Sequence, residues 1–216
     1  GEVPLLVAAV EGLLQRTLPP EELDRAWAEL RTGGSYDLNQ LAETLTAAGY
    51  SRCDQVEGVG QFALRGGILD VYSPGMEQPV RAEFFGDELD AMGLFDPATQ
   101  RRTENVERAV LLPAAEALPH LAPGGTAGLA ARLEKLAAGA EKAGRHELAQ
   151  TLRQDREALV QGRSFPATDR YLALIYPQLA TAADYLPPDA CVLFSESSRV
   201  GERAKTYQWQ LEEDAK

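Results

Sequence analysis

From Gly60 to Asp87 the chain reads GQFALRGGILDVYSPGMEQPVRAEFFGD, and the alternation in it leaves few folds open. A period of two sends successive side chains to opposite faces of a strand. Phe62 and Leu64 share one face, and Ala63 and Arg65 the other. Gly66 and Gly67 interrupt the pattern where a bulge or tight bend belongs. After a loop bearing Gly and Pro, a second strand repeats the logic. Val80, Ala82 and Phe84 form an apolar face, with Arg81, Glu83 and Phe85 opposite. Arg81 and Glu83 suit a face turned to water; Phe85 does not. An aromatic ring among arginines is either an interface residue or one that a helix or loop covers.

The flanking sequence predicts a mixed α+β and α/β chain. Val3–Val10 is a nearly continuous apolar run, the pattern of a strand buried on both faces. A short helix over Glu11–Leu18, stopped by Pro19 and Pro20, and a second over Glu21–Leu30 follow. Residues 1–34 therefore read as the edge of an α/β part. Residues 35–115 read as a small α+β domain with a mostly antiparallel sheet. It opens on a helix capped by Asp37, carrying Leu38, Leu41 and Leu45 and closed by Gly49. Strands are expected at Tyr50–Val56, in the two runs above, at Leu89–Phe95 and at Thr103–Leu112. Residues 116–216 read as a helical region with one returning strand. A linker at Pro119–Gly125 leads to a helical hairpin over Thr126–Val160 turning at Gly144, with Leu129, Leu133 and Leu136 on one stripe and Leu148, Leu152 and Leu159 on the next. Two short helices parted by Pro177, with Tyr171, Ile175, Leu179 and Tyr185 as core, a buried strand Cys191–Phe194 and a charged helix Ser198–Glu213 complete it.

Charge and motif content narrow the chemistry. A formal net charge of −12 argues against a nucleic-acid surface as the main activity, because phosphate binding needs a basic field. Lysine is absent before Lys135, so the cations before it are arginines, which suit bidentate pairing across interfaces. Cys53 and Cys191 stand alone, as reduced thiols of a cytoplasmic protein would. His120 and His146 have no partner motif, so no metal site is expected. No apolar run approaches the roughly 20 residues of a membrane helix, and no signal peptide is visible. The opening Gly1 fits a processed product or an excised fragment. Neither a GxxxxGK(S/T) phosphate loop nor a GxSxG or HExxH motif occurs. Gly58-Val59-Gly60 and Gly66-Gly67 are not followed by helices, so neither is a dinucleotide loop. Asp87, Glu88 and Asp90 read as an exposed turn, since a strand start splays their carboxylates apart.

Four ordered motifs carry a family likeness: Tyr50-Ser51-Arg52-Cys53-Asp54, Gly60 through Asp70, Pro79 through Glu88, and Phe95-Asp96-Pro97-Ala98-Thr99-Gln100-Arg101. Together they resemble the UvrB-homology region of bacterial transcription-repair coupling factors, and the likeness runs on through Tyr185-Leu186-Pro187. UvrB shares the pattern, but Gln100-Arg101 favours the coupling factors. The resemblance implies a non-catalytic adaptor that recruits UvrA, the damage-recognition ATPase of nucleotide excision repair, to stalled RNA polymerase. It implies UvrA contacts at Arg65, Arg81 and Phe85, and further ones, as in UvrB, at Arg52 and Glu83. Ala63 stands where UvrB has another arginine, so that contact should be absent. The family's polymerase-binding module and DNA translocase motor are not in these residues. Where UvrB has an Asp-Glu-Ser-His stretch that handles Mg²⁺-ATP, this chain has Ser195-Glu196-Ser197-Ser198. A serine is a poor substitute for a magnesium-organising acid. The outer parts then read as a degenerate ATPase-like fold, with no cofactor in this segment. The alternative is a UvrB-like module that binds damaged DNA directly.

Overall fold

The computed structural model describes residues 5–163 and 168–214. In chain order its elements are α1 (Val10–Leu14), α2 (Pro20–Ala26), β1 (Ala28–Arg31), α3 (Leu38–Ala47), β2 (Ser51–Arg52), β3 (Gln61–Arg65), β4 (Ile68–Tyr72), β5 (Val80–Phe85), β6 (Glu88–Phe95), β7 (Arg102–Asn105), β8 (Arg108–Leu111), α4 (Gly125–Lys142), α5 (His146–Val160), α6 (Leu172–Ile175) and α7 (Ser197–Asp214). The class is α+β. One compact unit spans Glu21–Pro177; another joins Gly1–Pro20 to Gln178–Lys216. Among the described residues no helix is long and apolar enough to cross a membrane.

The larger unit is built on a six-stranded sheet ordered β2-β3-β4-β5-β6-β7. Only the β2–β3 pair is parallel. Phe62, Leu69, Val71, Val80, Ala82, Leu89 and Met92 line one face and pack with Leu41, Ala42 and Leu45 of α3. Burying each Val, Leu, Phe or Met side chain among them contributes about 1.5–3 kcal/mol. The Asp37 carboxylate caps α3 by accepting hydrogen bonds from the backbone N–H groups of Asn39 and Gln40 at 2.8 and 3.0 Å. The Tyr50 hydroxyl donates to the Leu112 carbonyl at 2.5 Å and ties the helix exit to the end of β8.

Two irregularities set which residues face out. Between Glu83 and Phe84 the β5–β6 register skips Asp90. That extra residue lets both Leu89 and Met92, on opposite parities, reach the core. Between Leu94 and Phe95 the β6–β7 register skips Thr103. The parity of β5 runs through unbroken, so Arg81, Glu83 and Phe85 share a face, as the alternation predicts.

The organising stretch forms three strands rather than two, because Ile68–Tyr72 pairs on both sides. Gly66 and Gly67 are the β3–β4 turn. Gly66 has φ +60°, while a Cβ on Gly67 would meet the Phe84 carbonyl oxygen at 2.7 Å. Gly66→Ala should therefore cost about 1 kcal/mol in backbone strain alone, and Gly67→Ala more, about 1–3 kcal/mol, because two backbones must part. Thermal melts of the two variants check the order.

Other expectations change. Glu21–Leu30 is not one helix: α2 ends at Ala26 and Ala28–Arg31 pairs antiparallel with β8. Leu30 alternates with Glu29 and Arg31, and its burial in the core overrides helix propensity. Thr103–Leu112 is two strands in two sheets, parted where the Val106 N–H bonds to the Met92 carbonyl and the Glu107 carbonyl accepts from Thr32. Tyr50–Val56 is strand only at Ser51–Arg52. The expected linker holds a 3-10 turn at Pro119–Leu121.

The helical hairpin forms as α4 and α5, turning at Gly144. Leu129, Leu133, Leu152 and Leu159 are buried, whereas Leu136 and Leu148 are exposed; Ala137, Ala140 and Ala149 fill the contact instead. Tyr171 and Ile175 are core as expected, and Tyr185 is part-exposed.

In the smaller unit Thr17 bridges Ala180, Tyr185 donates to the Leu18 carbonyl at 2.8 Å, and Glu11 of α1 pairs with Arg203 of α7. The two expected buried strands do not form. Leu5–Ala9 and Cys191–Phe194 are non-strand and exposed. A strand needs a neighbour to satisfy its backbone, and among the described residues neither segment has one. Val3 and Pro4 lie outside the described residues.

Candidate functional site

The sheet face away from α3 is polar where it meets water and apolar where a loop covers it. Cross-strand register stacks Ala63, Asp70, Arg81 and Gly93 in one row, and Arg65, Ile68, Glu83 and Ala91 in the next. Ala63 is buried with Val56 and Phe95 in a small second core, flanked by Cys53 and Tyr72. An arginine there would have to displace that core, which is why this position cannot offer a surface contact.

Asp70 holds the face together. Its side chain is fully buried, yet its carboxylate is shared by two arginines. Arg81 is bidentate, Nε to Oδ1 at 2.7 Å and Nη2 to Oδ2 at 2.8 Å. Arg65 adds Nη2 to Oδ2 at 2.7 Å. Bonds in which both partners are charged are about twice as strong as neutral ones. Arg81 also donates to the backbone carbonyl and side-chain Oε1 of Gln100, both at 3.3 Å, and its guanidinium lies 4.6 Å above the Phe95 ring. The Asp70 hydrogen bonds raise its already high pKa. Gln100 is held in the left-handed region, φ +60°, with Nε2 donating to the carbonyls of Val56 and Pro97.

The two arginines therefore differ. The Arg81 side chain keeps 20% exposure and the Arg65 side chain 50%. An arginine expected to pair with an external carboxylate, Arg81, instead has an internal one.

Phe85 is 86% exposed, at the end of β5 before the Gly86-Asp87 turn. Among the described residues no helix or loop covers it. Its neighbour Phe84 is anchored on the core side: the ring meets Tyr36 edge-to-face at 6.2 Å, and its N–H donates to the Gly67 carbonyl at 2.7 Å. The loop before α3 braces the same hairpin, through Tyr36 N–H to the Asp87 carbonyl and Gly33 N–H to the Leu89 carbonyl. Ile68, partly exposed, adds apolar surface in the adjoining row. Glu83 is paired with Arg102 at 2.5 Å. Arg52 is exposed on edge strand β2, level with Phe62 and outside the Arg65–Phe85 rows.

Asp70, Gln100 and Phe95 are site residues that sequence reasoning missed. A signal existed for Asp70. A lone charge inside the apolar run Ile68-Leu69-Asp70-Val71-Tyr72 needs a buried partner, and arginines flank it on both neighbouring strands. Gln100 gives no such signal, because its place depends on the turn from Asp96.

Groups for covalent or metal chemistry do not gather at this face. Burial pushes the Cys53 thiol up in pKa, and its Sγ contacts the Phe62 carbonyl. Among the described residues no three His, Cys, Asp or Glu side chains converge as metal ligands. In the smaller unit the Glu196 carboxylate is taken up by Arg199 at 2.5 Å.

A sheet packed on one helix thus presents a braced polar face bearing an exposed ring. Residues 28–116 match the family model of the UvrB interaction domain. Over most of its length the chain is similar to transcription-repair-coupling factors: 34% identical to that of Bacillus subtilis across 96% of this chain, and 38% to that of Escherichia coli across 52%. It covers 18% and 10% of those proteins, so it spans less than a fifth of the curated relatives it matches. The likeness is thus to the transcription-repair-coupling factors, and it includes a UvrB interaction domain at residues 28–116.

Proposed function

We propose that this chain is a non-catalytic adaptor of transcription-coupled DNA repair whose sheet face binds UvrA. The observation that carries the reading is the solvent-exposed Phe85 ring on a braced hairpin, on the same sheet face as the half-exposed Arg65 guanidinium. Aromatics and arginines on a rigid support provide most interface hot spots, and a pre-formed face loses little entropy on docking. Arg52, Arg65, Arg81, Glu83 and Phe85 make up the binding set, with Arg81 as its internally paired support, and Ile68 widens its apolar part. In the longer family proteins, acting in the cytoplasm, the module would bring UvrA to stalled RNA polymerase on damaged DNA. The net charge of −12 works against direct DNA binding by this chain.

Calorimetric titration of the chain with UvrA tests the reading. Saturable binding is expected, with Arg65→Ala weakening it by about 1–3 kcal/mol and leaving the melt unchanged. Absence of binding, together with a gel shift on damaged duplex at moderate salt, would replace the adaptor reading with DNA recognition.

A further inference from the structure

We propose that Asp70 is a positioning residue of this docking face, and that Arg81 acts through it rather than by touching the partner. The inference rests on the UvrA-binding reading above. Asp70 is inaccessible to any partner, since its side chain has no exposed surface. Its two oxygens accept three hydrogen bonds, one from the Arg65 guanidinium and two from that of Arg81. Arg81 spends four hydrogen bonds internally, two on Asp70 and two on Gln100, and stacks on Phe95. Arg65 spends one, on Asp70, and remains half exposed. The remaining donors of Arg65 are therefore the ones presented to a carboxylate or carbonyl of the partner.

The fork of Arg81 fixes the carboxylate plane, and the carboxylate fixes Arg65. An arginine side chain loses rotamer entropy when a partner fixes it, and anchoring one nitrogen beforehand removes part of that loss from the binding step. Gln100 accepts the other two bonds of Arg81 and is itself held by the Val56 and Pro97 carbonyls. The chain thus has a layered device: Phe95 and Gln100 hold Arg81, Arg81 holds Asp70, and Asp70 aims Arg65.

The test is a double-mutant cycle, read as UvrA affinity by calorimetry on the full chain, with a thermal melt for each variant. Asp70→Asn should weaken binding about tenfold, the effect of one misaligned charged hydrogen bond. In an Arg65→Ala background the same change should add less than about twofold, because the group it aims is gone. In a Phe85→Ala background the tenfold loss should persist. Arg81→Lys, which keeps the charge but cannot fork, should show the same dependence on Arg65, and it decides the matter if Asp70→Asn has no cooperative melt. A loss from Arg81→Lys that persists in full without Arg65 would mean that Arg81 meets the partner itself, and would overturn the proposal. So would unchanged affinity in folded Asp70→Asn while Phe85→Ala weakens binding. If Phe85→Ala also leaves affinity unchanged, the docking reading itself falls.

Discussion

Phe85→Ala is expected to weaken UvrA binding by about 2–4 kcal/mol, roughly 30-fold to 1,000-fold, without lowering stability. The ring is 86% exposed, so its removal takes almost nothing from the core. Surface changes of that kind stay within about 0.5 kcal/mol in stability. On docking, the same ring would bury its area in one step, and an aromatic ring presents 150–250 Å² at low entropic loss (about two torsions to fix). Phe84 supplies the contrast. It is one residue away, but its ring packs on Tyr36. Phe84→Ala should destabilise the fold, and Phe85→Ala should not. Paired calorimetry and urea melts would read both effects, and unaltered affinity in Phe85→Ala would remove the main support for the docking face.

The largest effect on stability is expected from Asp70→Ala, about 2–4 kcal/mol. Removing one partner of a buried ion pair leaves the other charge uncompensated, which costs more than the pair was worth. Here the stranded charge is Arg81, held between Gln100 and the Phe95 ring with 20% of its side chain exposed. Arg65 can turn into water, so it adds little to the penalty. Replacing both members, as Asp70→Leu with Arg81→Met, should recover much of the lost stability, because apolar groups of similar volume need no partner. Urea denaturation would show it. If the double variant is as unstable as Asp70→Ala, packing rather than charge holds this face.

Much of the sheet was legible in the residues. Alternation through Phe62–Arg65 and Val80–Phe85 predicts strands with defined faces, and both form in that register. The capped helix at Asp37 and the hairpin at Gly144 were legible for the same reason: their signals are local. Leu30 was not. Its segment suits a helix by composition, and only pairing with Arg108–Leu111, far along the chain, makes it a strand. Val3–Val10 and Cys191–Phe194 read as inner strands; among the described residues neither segment has a neighbour, and a strand without one does not form.

The order of residues by itself determined that Arg81, Glu83 and Phe85 would share a face, because a period of two needs no information from elsewhere. Tertiary structure alone decided what each of them does there. The Asp96 turn brings Gln100 within hydrogen-bonding reach of Arg81, β6 sets the Phe95 ring against its guanidinium, and Asp70 draws that guanidinium inward while Phe85 stays in water. Those contacts join residues up to nineteen positions apart, and their strength depends on burial, which no strand possesses until its neighbours have closed around it.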